Sequence, residues 1–513
     1  MDLERSIKDE SFPLLPKSNH DNKPDYSIVK ARITSVVIPA LCMSAGIARD
    51  TLMAQYLVKR LTEDKGFTVN STEQGPCGNT TLNDTIINGT EIMNANNIHA
   101  EASEMLTYFS WTQCIPAFVT CLMIGSYSDF LGRRLLLLLP VVTNLIRTVI
   151  ITIVIKFHLD LRYSYIAYAI DGVGGSWFAM LLGMFALTAD INSEKSDRTF
   201  WIYLISCLST MASAGANVAV GYLIAYLDFF YACLPLLGMA FSAFIILLFT
   251  IQETLPVHQR PKGKGRNPCV HLRRIVSFYL LDGSLRKRFV FNLCLLIFVI
   301  GVMNGLNIGS LDALYQLGRP FCWGSDQIGN YSAFRSAGTS FFGILFLKLL
   351  QLCISEEKIG MFGMLSQGAA LTFEAFIKVP WHFYLVPILL IPTSPFTAIV
   401  RSMLSNLAGS DSQGAMFSSI AVVETLCQLV STTIYNKIYA LTVSFMPGAV
   451  YLVMAGFSCI TFVLFGVYFC VREEPHLQHE VVVLEPETLS PVNVSINSST
   501  HPLDYEYGNG DTN

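Results

Sequence analysis

Gly125-Ser-Tyr-Ser-Asp129-Phe-Leu-Gly132-Arg133-Arg134 separates two long apolar runs with two glycines, one acid and a pair of arginines. Glycine permits a tight turn, an aspartate suits a helix N-terminus, and arginines suit anionic lipid or a helix C-terminus. Gly125, Asp129, Gly132, Arg133 and Arg134 therefore read as a latch between two membrane helices, able to open and close as they move. The alternative is a chance polar turn.

The runs on either side extend through the whole chain. Its 513 residues are 52% hydrophobic and 14% charged, where soluble domains carry roughly 25% charged residues. A formal net charge of -4 gives a nucleic-acid partner no electrostatic footprint. Crossing about 30 Å of hydrocarbon takes on the order of 20 apolar residues in a helix. That ruler predicts spans near 33 to 58, 105 to 127, 135 to 155, 163 to 189, 199 to 224 and 229 to 251. Six more follow near 289 to 315, 328 to 351, 358 to 378, 380 to 404, 414 to 440 and 446 to 470. The expected fold is an all-α membrane protein of twelve spanning helices in two six-helix pseudo-repeats. Ser355-Glu-Glu-Lys-Ile-Gly360 stands as a degenerate echo of the latch in the second half.

Lysine and arginine fix the expected orientation, because cytoplasmic loops retain them. Residues 252–288 hold nine of them against Glu253 and Asp282, and six more precede the first span. Both termini are thus expected in the cytoplasm. The domains read as a tail 1–32, a half 33–251 with an outside loop 61–104, a central loop 252–288, a half 289–471 and a tail 472–513. The segment from Val270 to Leu281 reads as a helix lying on the inner membrane surface. The outside loop carries sequons at Asn70, Asn79, Asn83 and Asn88, predicted glycosylation sites. Cys77 and Cys322 fall in outside loops, where an oxidising exterior makes a bridge between them the natural inference and two free thiols the alternative. The other cysteines mostly sit in apolar stretches as small filler. No secretory signal peptide is expected in the polar first thirty residues.

Charges inside hydrocarbon are costly, and those present face a water-filled cavity or one another. The spans contain Arg49, Asp50, Arg147, Asp171, Asp312, Arg335, Glu374, Arg401 and Glu424. Burial favours the neutral, proton-carrying form of a carboxylate, so Asp171, Asp50, Asp312, Glu374 and Glu424 are the candidates for proton coupling. Any one of them can instead be structural, and the adjacent Arg49 and Asp50 can neutralise each other. Asp171 lies among glycines that let helices approach closely. Tyr315 and Phe373 are candidates for lining a cavity that takes a ring-bearing solute. The five tryptophans, Trp111, Trp177, Trp201, Trp323 and Trp381, mostly fall near span ends, where interfacial anchoring explains them. No nucleophile, metal or cofactor constellation occurs, so no enzyme and no cofactor is expected.

In this setting the stretch from Gly125 to Arg134 resembles the signature loop of the major facilitator superfamily. Thr188-Ala-Asp190 with Arg198-Thr-Phe200, Pro320-Phe-Cys322-Trp323, and Ile399-Val-Arg401-Ser-Met-Leu-Ser405 with Gln413-Gly-Ala-Met-Phe417 are similar to the proton-coupled folate transporter family, solute carrier family 46. The resemblance runs from about Tyr56 to Phe457. It implies the major facilitator fold and proton-driven uptake, or lysosomal export, of organic anions. Arg401 matches a family arginine linked to substrate binding, a task suited to a guanidinium that never loses its proton, and Asp171 matches a family aspartate. Ser206 stands where the folate transporter has a proton-coupling glutamate, and Asn304 and Asn307 lie where it has a histidine. Arg49-Asp50 replaces the turn of small residues and proline expected in the first span. The departures at Ser206 and Asn304 point away from folate, and the run Val400-Arg-Ser-Met-Leu-Ser405 with Glu424 looks more like the lysosomal branch, so the resemblance is closer to the lysosomal or thymic-stroma relatives.

The expected function is transport of an organic anion or amphipathic conjugate into the cytosol, coupled to protons, in a lysosomal or plasma membrane. A drug/proton antiporter and a non-transporting receptor or scaffold of the same fold are the alternatives. Glu10-Ser-Phe-Pro-Leu14-Leu15 resembles an acidic dileucine signal; Glu10, Leu14 and Leu15 would engage an endolysosomal adaptor.

Overall fold

Apolar residues in runs too long for a globular core leave the backbone one way to satisfy its own polar groups without water, the helix. The computed structural model describes residues 26–65, 89–131, 133–191, 195–250, 285–306, 308–408 and 413–471, and no strand occurs among them. They all belong to one compact unit. The helices are α1 (Tyr26–Asp64), α2 (Gly89–Leu131), α3 (Arg133–Lys156), α4 (Tyr163–Val173), α5 (Ser176–Ile191), α6 (Lys195–Tyr226) and α7 (Phe229–Thr250). Then come α8 (Leu285–Met303), α9 (Ile308–Leu317), α10 (Ser325–Gln351), α11 (Glu356–Ala375), the short α12 (Val386–Leu390), α13 (Phe396–Ala408), α14 (Gln413–Thr442) and α15 (Ala449–Val471).

Among the described residues, nine helical segments are long and apolar enough to cross a membrane. The expected spans near 105 to 127, 358 to 378 and 414 to 440 also lie in helices, α2, α11 and α14. Ends differ from expectation: α1 runs to Asp64 and α2 begins at Gly89, so helix enters the predicted outside loop 61–104 from both sides. The surface helix expected from Val270 to Leu281 lies outside the described residues.

Three expected continuous spans are broken. The span from 163 to 189 is two helices, α4 and α5, parted at Gly174 and Gly175. Gly175 has φ +80°, a conformation that glycine adopts without penalty, and Ser176 follows at φ 53°. The span from 289 to 315 divides into α8 and α9 around Asn304 and Gly305. The span from 380 to 404 is a series of short pieces, 3₁₀ turns at Pro380–Leu385 and Ile391–Thr393 flanking α12, before α13 begins. Pro387, Pro392 and Pro395 account for it, since proline lacks the N–H that a helix interior needs.

Packing is apolar outside and mixed within. Ile115, Val119, Phe241, Phe249 and Leu345 are each at least half exposed, as a lipid-facing surface requires, while Arg49, Arg147 and Glu374 are buried. Two long contacts join early and late helices, α2 against α14 and α6 against α10. In the first, the Ser103 hydroxyl donates to the Asn436 carbonyl at 3.0 Å, Trp111 Nε1 donates to Thr433 at 2.7 Å, and Lys437 pairs with Glu104 at 2.8 Å. In the second, a Cβ on Gly221 would stand 2.5 Å from the Ser325 carbonyl oxygen and 3.0 Å from the Gly329 Cα.

Candidate functional site

A cavity of about 520 Å³ opens between these helices, and all three breaks reach it. Asp171, Ser176 and Trp177 line it from the first break, Asn304 to Leu306 from the second, and Leu390, Thr393 and Ser394 from the third. Interrupted backbone is tolerated at membrane depth where it is buried in protein or faces a wet cavity, and discontinuous helices commonly carry transporter sites there. Met43, Ile47, Met180, Ile328 and Leu371 give the walls an apolar share, and Arg49, Arg147 and Arg335 bring three guanidinium groups.

One wall holds two arginines and two aspartates. Arg147 on α3 pairs with Asp50 on α1 and, at 3.1 Å, with Asp171 on α4, and its guanidinium sits 4.0 Å over the Tyr168 ring. Asp171 Oδ2 also accepts from Gln113 Nε2 at 2.8 Å and from the Ser176 hydroxyl at 2.9 Å. The break at Gly174 and Gly175 makes this last bond, because it brings Ser176 back beside Asp171. Arg49 instead donates to Asn144 at 2.9 Å and Thr148 at 2.6 Å. The expected Arg49–Asp50 neutralisation does not occur: neighbours on a helix point about 100° apart, so each finds a different partner on α3.

The facing wall holds Arg335 and Asp312, and a second acid, Glu374, is buried beside them without lining the cavity. Arg335 Nη1 on α10 donates to Asp312 Oδ2 on α9 at 2.6 Å, to Glu374 Oε1 on α11 at 3.1 Å and to the Tyr331 hydroxyl at 3.3 Å. Tyr451 donates to Asp312 Oδ1 at 2.8 Å. Asn304 fixes the adjoining break: Nδ2 donates to the Met454 carbonyl at 3.1 Å and to Ser458 at 2.9 Å, and Oδ1 accepts from Tyr435 at 2.7 Å. A buried amide in a helix break was readable as unusual in the sequence, but its three partners were not.

Other expected residues lie elsewhere. Arg401 on α13 forms an ion pair with Glu424 on α14, with its guanidinium 6.0 Å from the Phe298 ring centroid. Neither Arg401 nor Glu424 lines the cavity. Tyr315 and Phe373, expected in the cavity wall, are also absent from it. Tyr315 packs edge-on against Phe321, Phe383 and Tyr451, and its hydrophobic ring is better satisfied in that aromatic cluster. Trp323 joins the same cluster and Trp177 faces the cavity, so neither is an interfacial anchor. Cys322 is disulfide-bonded.

Several expected features fall outside the described residues: Cys77, the sequons at Asn70, Asn79, Asn83 and Asn88, and the tail residues Glu10, Leu14 and Leu15. For the latch, helix is described on both sides of Gly132, but the side chains of Asp129, Arg133 and Arg134 are not. Among the described residues no cluster of side chains suited to a metal ion occurs.

No protein-family model matches the chain. It is 27% identical over 440 residues to the proton-coupled folate transporter of Rattus norvegicus, covering 84% of this chain and 91% of that one. It is equally 27% identical to the lysosomal proton-coupled steroid conjugate and bile acid symporter SLC46A3 of Mus musculus, covering 82% and 92%. Both relatives are proteins of the family that the sequence resembles. Among solved structures, the human organic anion transporter MFSD10 (TETRAN) superposes with a TM-score of 0.58 at 14% identity, over 86% of this chain and all of that one. A POT family peptide transporter superposes with a TM-score of 0.54 at 12% identity, over 86% and 97%. The fold is therefore that of the major facilitator transporters. The chain is a multi-pass membrane protein whose relatives are transporters and not enzymes.

Proposed function

We propose that this chain is a proton-coupled transporter that moves an amphipathic organic anion into the cytosol, through twelve spanning helices whose termini are both cytoplasmic. The observation that carries the reading is the cavity itself, where three guanidinium groups meet apolar walls in a volume suited to a small organic solute. Arginine offers an anion a fixed fork of donors, and the methionine, leucine and isoleucine side chains offer its body an apolar bed. The names of the relatives, steroid conjugate and bile acid symporter among them, agree with a solute of that chemistry. The departures at Ser206 and Asn304 set folate lower.

The anion anchor moves accordingly. Arg335 and Arg147 line the cavity, and Arg401 with Glu424 becomes an ion pair between α13 and α14 that adjusts helix movement. With the predicted topology, the Ser103–Asn436, Lys437–Glu104 and Gly221–Gly329 contacts fall toward the outer ends of their helices, shutting the solute path there. Two halves rocking about such a midplane cavity give alternating access. The Cys77–Cys322 bridge and glycans at Asn70 to Asn88 belong to the outer face in this reading. The latch around Asp129 and the dileucine sequence at Leu14 belong to the inner face, and the membrane is lysosomal or plasma.

Uptake of labelled taurocholate, steroid sulfate, folate and muropeptide at an outside pH of about 5.5 and about 7.4 tests it. Acid-stimulated flux of the first two supports the reading. Flux of every probe unaffected by pH sinks the coupling, and flux of organic cations alone would favour a drug/proton antiporter.

A further inference from the structure

The buried charges on the two sides of the cavity differ in count. On the α1–α3–α4 side, Arg49 and Arg147 face Asp50 and Asp171, two cations for two acids. On the facing side, Asp312 and Glu374 share the single cation Arg335, at 2.6 Å and 3.1 Å. The other titratable groups that face this trio are hydroxyls, Tyr331 on α10, Tyr315 on α9 and Tyr451 on α15. Among the described residues no second cation faces it.

Glu374 has no exposed surface and Asp312 is 6% exposed, and Glu374 Oε2 has no hydrogen-bond partner. An unpaired carboxylate oxygen in that surrounding is far more costly when the group is ionised than when it carries a proton. One proton shared by the two acids cancels the excess charge, and it titrates as a property of the pair.

We propose that Asp312 and Glu374 together hold the transported proton, and that Arg335 links it to the solute. Arg335 spends one guanidinium nitrogen, Nη1, on both acids and on Tyr331, while it also lines the cavity. Protonation of the pair weakens its hold on the guanidinium and releases donors to an anion in the cavity. The anion, by drawing Arg335 away, in turn favours protonation of the acids. Proton and anion then reinforce each other's binding by the same factor, which is the requirement for symport.

The solute half of this mechanism rests on the transport reading above, whereas the proton site does not. The test therefore has two arms, both on the purified full-length protein. Infrared difference spectroscopy between about pH 5.5 and about pH 7.4 is expected to show a protonated-carboxyl band that Glu374→Gln and Asp312→Asn each abolish or move and Asp171→Asn leaves in place. A band untouched by both substitutions overturns the proposal. If these variants fail to fold, Tyr451→Phe removes one donor to Asp312 and is expected to raise the band's midpoint by about half a pH unit or more; an unmoved midpoint is equally fatal. In proteoliposomes, Glu374→Gln is expected to remove the pH dependence of labelled-taurocholate flux and to lose pH-driven accumulation by about tenfold or more. Unaltered accumulation overturns the symport role. A wild-type protein that carries the infrared band but moves neither taurocholate nor steroid sulfate refutes the transport reading and leaves the proton site standing.

Discussion

Gly221 on α6 and Gly329 on α10 meet backbone to backbone: a Cβ added to Gly329 would lie 2.6 Å from the Asn217 carbonyl oxygen and 3.1 Å from the Gly221 Cα. No side chain can enter that contact without parting the two helices. Gly329→Val should therefore open the α6–α10 seam, at about 1–3 kcal/mol of stability, and slow labelled-taurocholate uptake severely. Cysteine-reagent labelling of Asn330→Cys in the Gly329→Val background should rise above that in the Asn330→Cys single variant. Unchanged labelling and uptake would show that the seam is not a gate.

Arg147 is the cation that both Asp50 and Asp171 use, and it is 2% exposed. Removing it leaves both acids without their cation, and for the buried Asp171, which keeps only its neutral donors Gln113 and Ser176, such a loss costs about 3–5 kcal/mol in comparable buried pairs. Arg147→Met should lower the thermal midpoint of the purified protein markedly. Adding Asp171→Asn should recover part of the loss, since the two residues are coupled and their effects do not add. Strict additivity in the double variant would contradict the pairing.

Arg335 lines the cavity and Arg401 does not, so the two arginines should separate kinetically. Arg335→Lys keeps a charge but loses the planar fork, and should raise KM for taurocholate by about tenfold or more, in line with one charge-assisted hydrogen bond lost. Arg401→Lys should slow the maximal rate with KM within about twofold. The reverse pattern would restore Arg401 as the anchor expected from sequence.

Asn304 satisfies three partners where α8 gives way to α9. Asn304→Leu strands the Tyr435 hydroxyl, at about 1–3 kcal/mol for a group left buried and unpaired, and also removes the bonds to Ser458 and the Met454 carbonyl, which retain the Ser458 bonds to Gln367 and Met454. A thermal-shift measurement should show a larger drop for Asn304→Leu than for Tyr435→Phe, which removes only one of the three bonds.

The apolar runs were readable from sequence because a membrane imposes a length on every helix that crosses it, and no partner is needed to see that length. Pairings were harder. Arg49 and Asp50 are neighbours in sequence yet turn to different partners on α3, and Arg335 finds Glu374 39 positions away. Residue types alone could nominate Asp312 and Glu374, but nothing in their spacing announces that one arginine serves both. Tyr315 was misread for a related reason: an aromatic ring near a cavity and an aromatic ring behind its wall have the same sequence, and only the neighbours Phe383 and Tyr451 distinguish them. The helix breaks did leave marks, in Gly174-Gly175, Asn304-Gly305 and Pro387, Pro392 and Pro395. An uninterrupted hydropathy signal hid them.

Those breaks give the cavity a lining that mutagenesis cannot strip. At Gly305, which lines the cavity with no side chain of its own, the wall is made of peptide groups at a break in the helical pattern, and a peptide group survives every side-chain exchange. A solute that bonds to them is recognised by where the chain bends and not by which residue sits there. Selectivity of that kind would change when a glycine or proline shifts a break by one position, while wholesale replacement of the surrounding side chains would leave much of it intact.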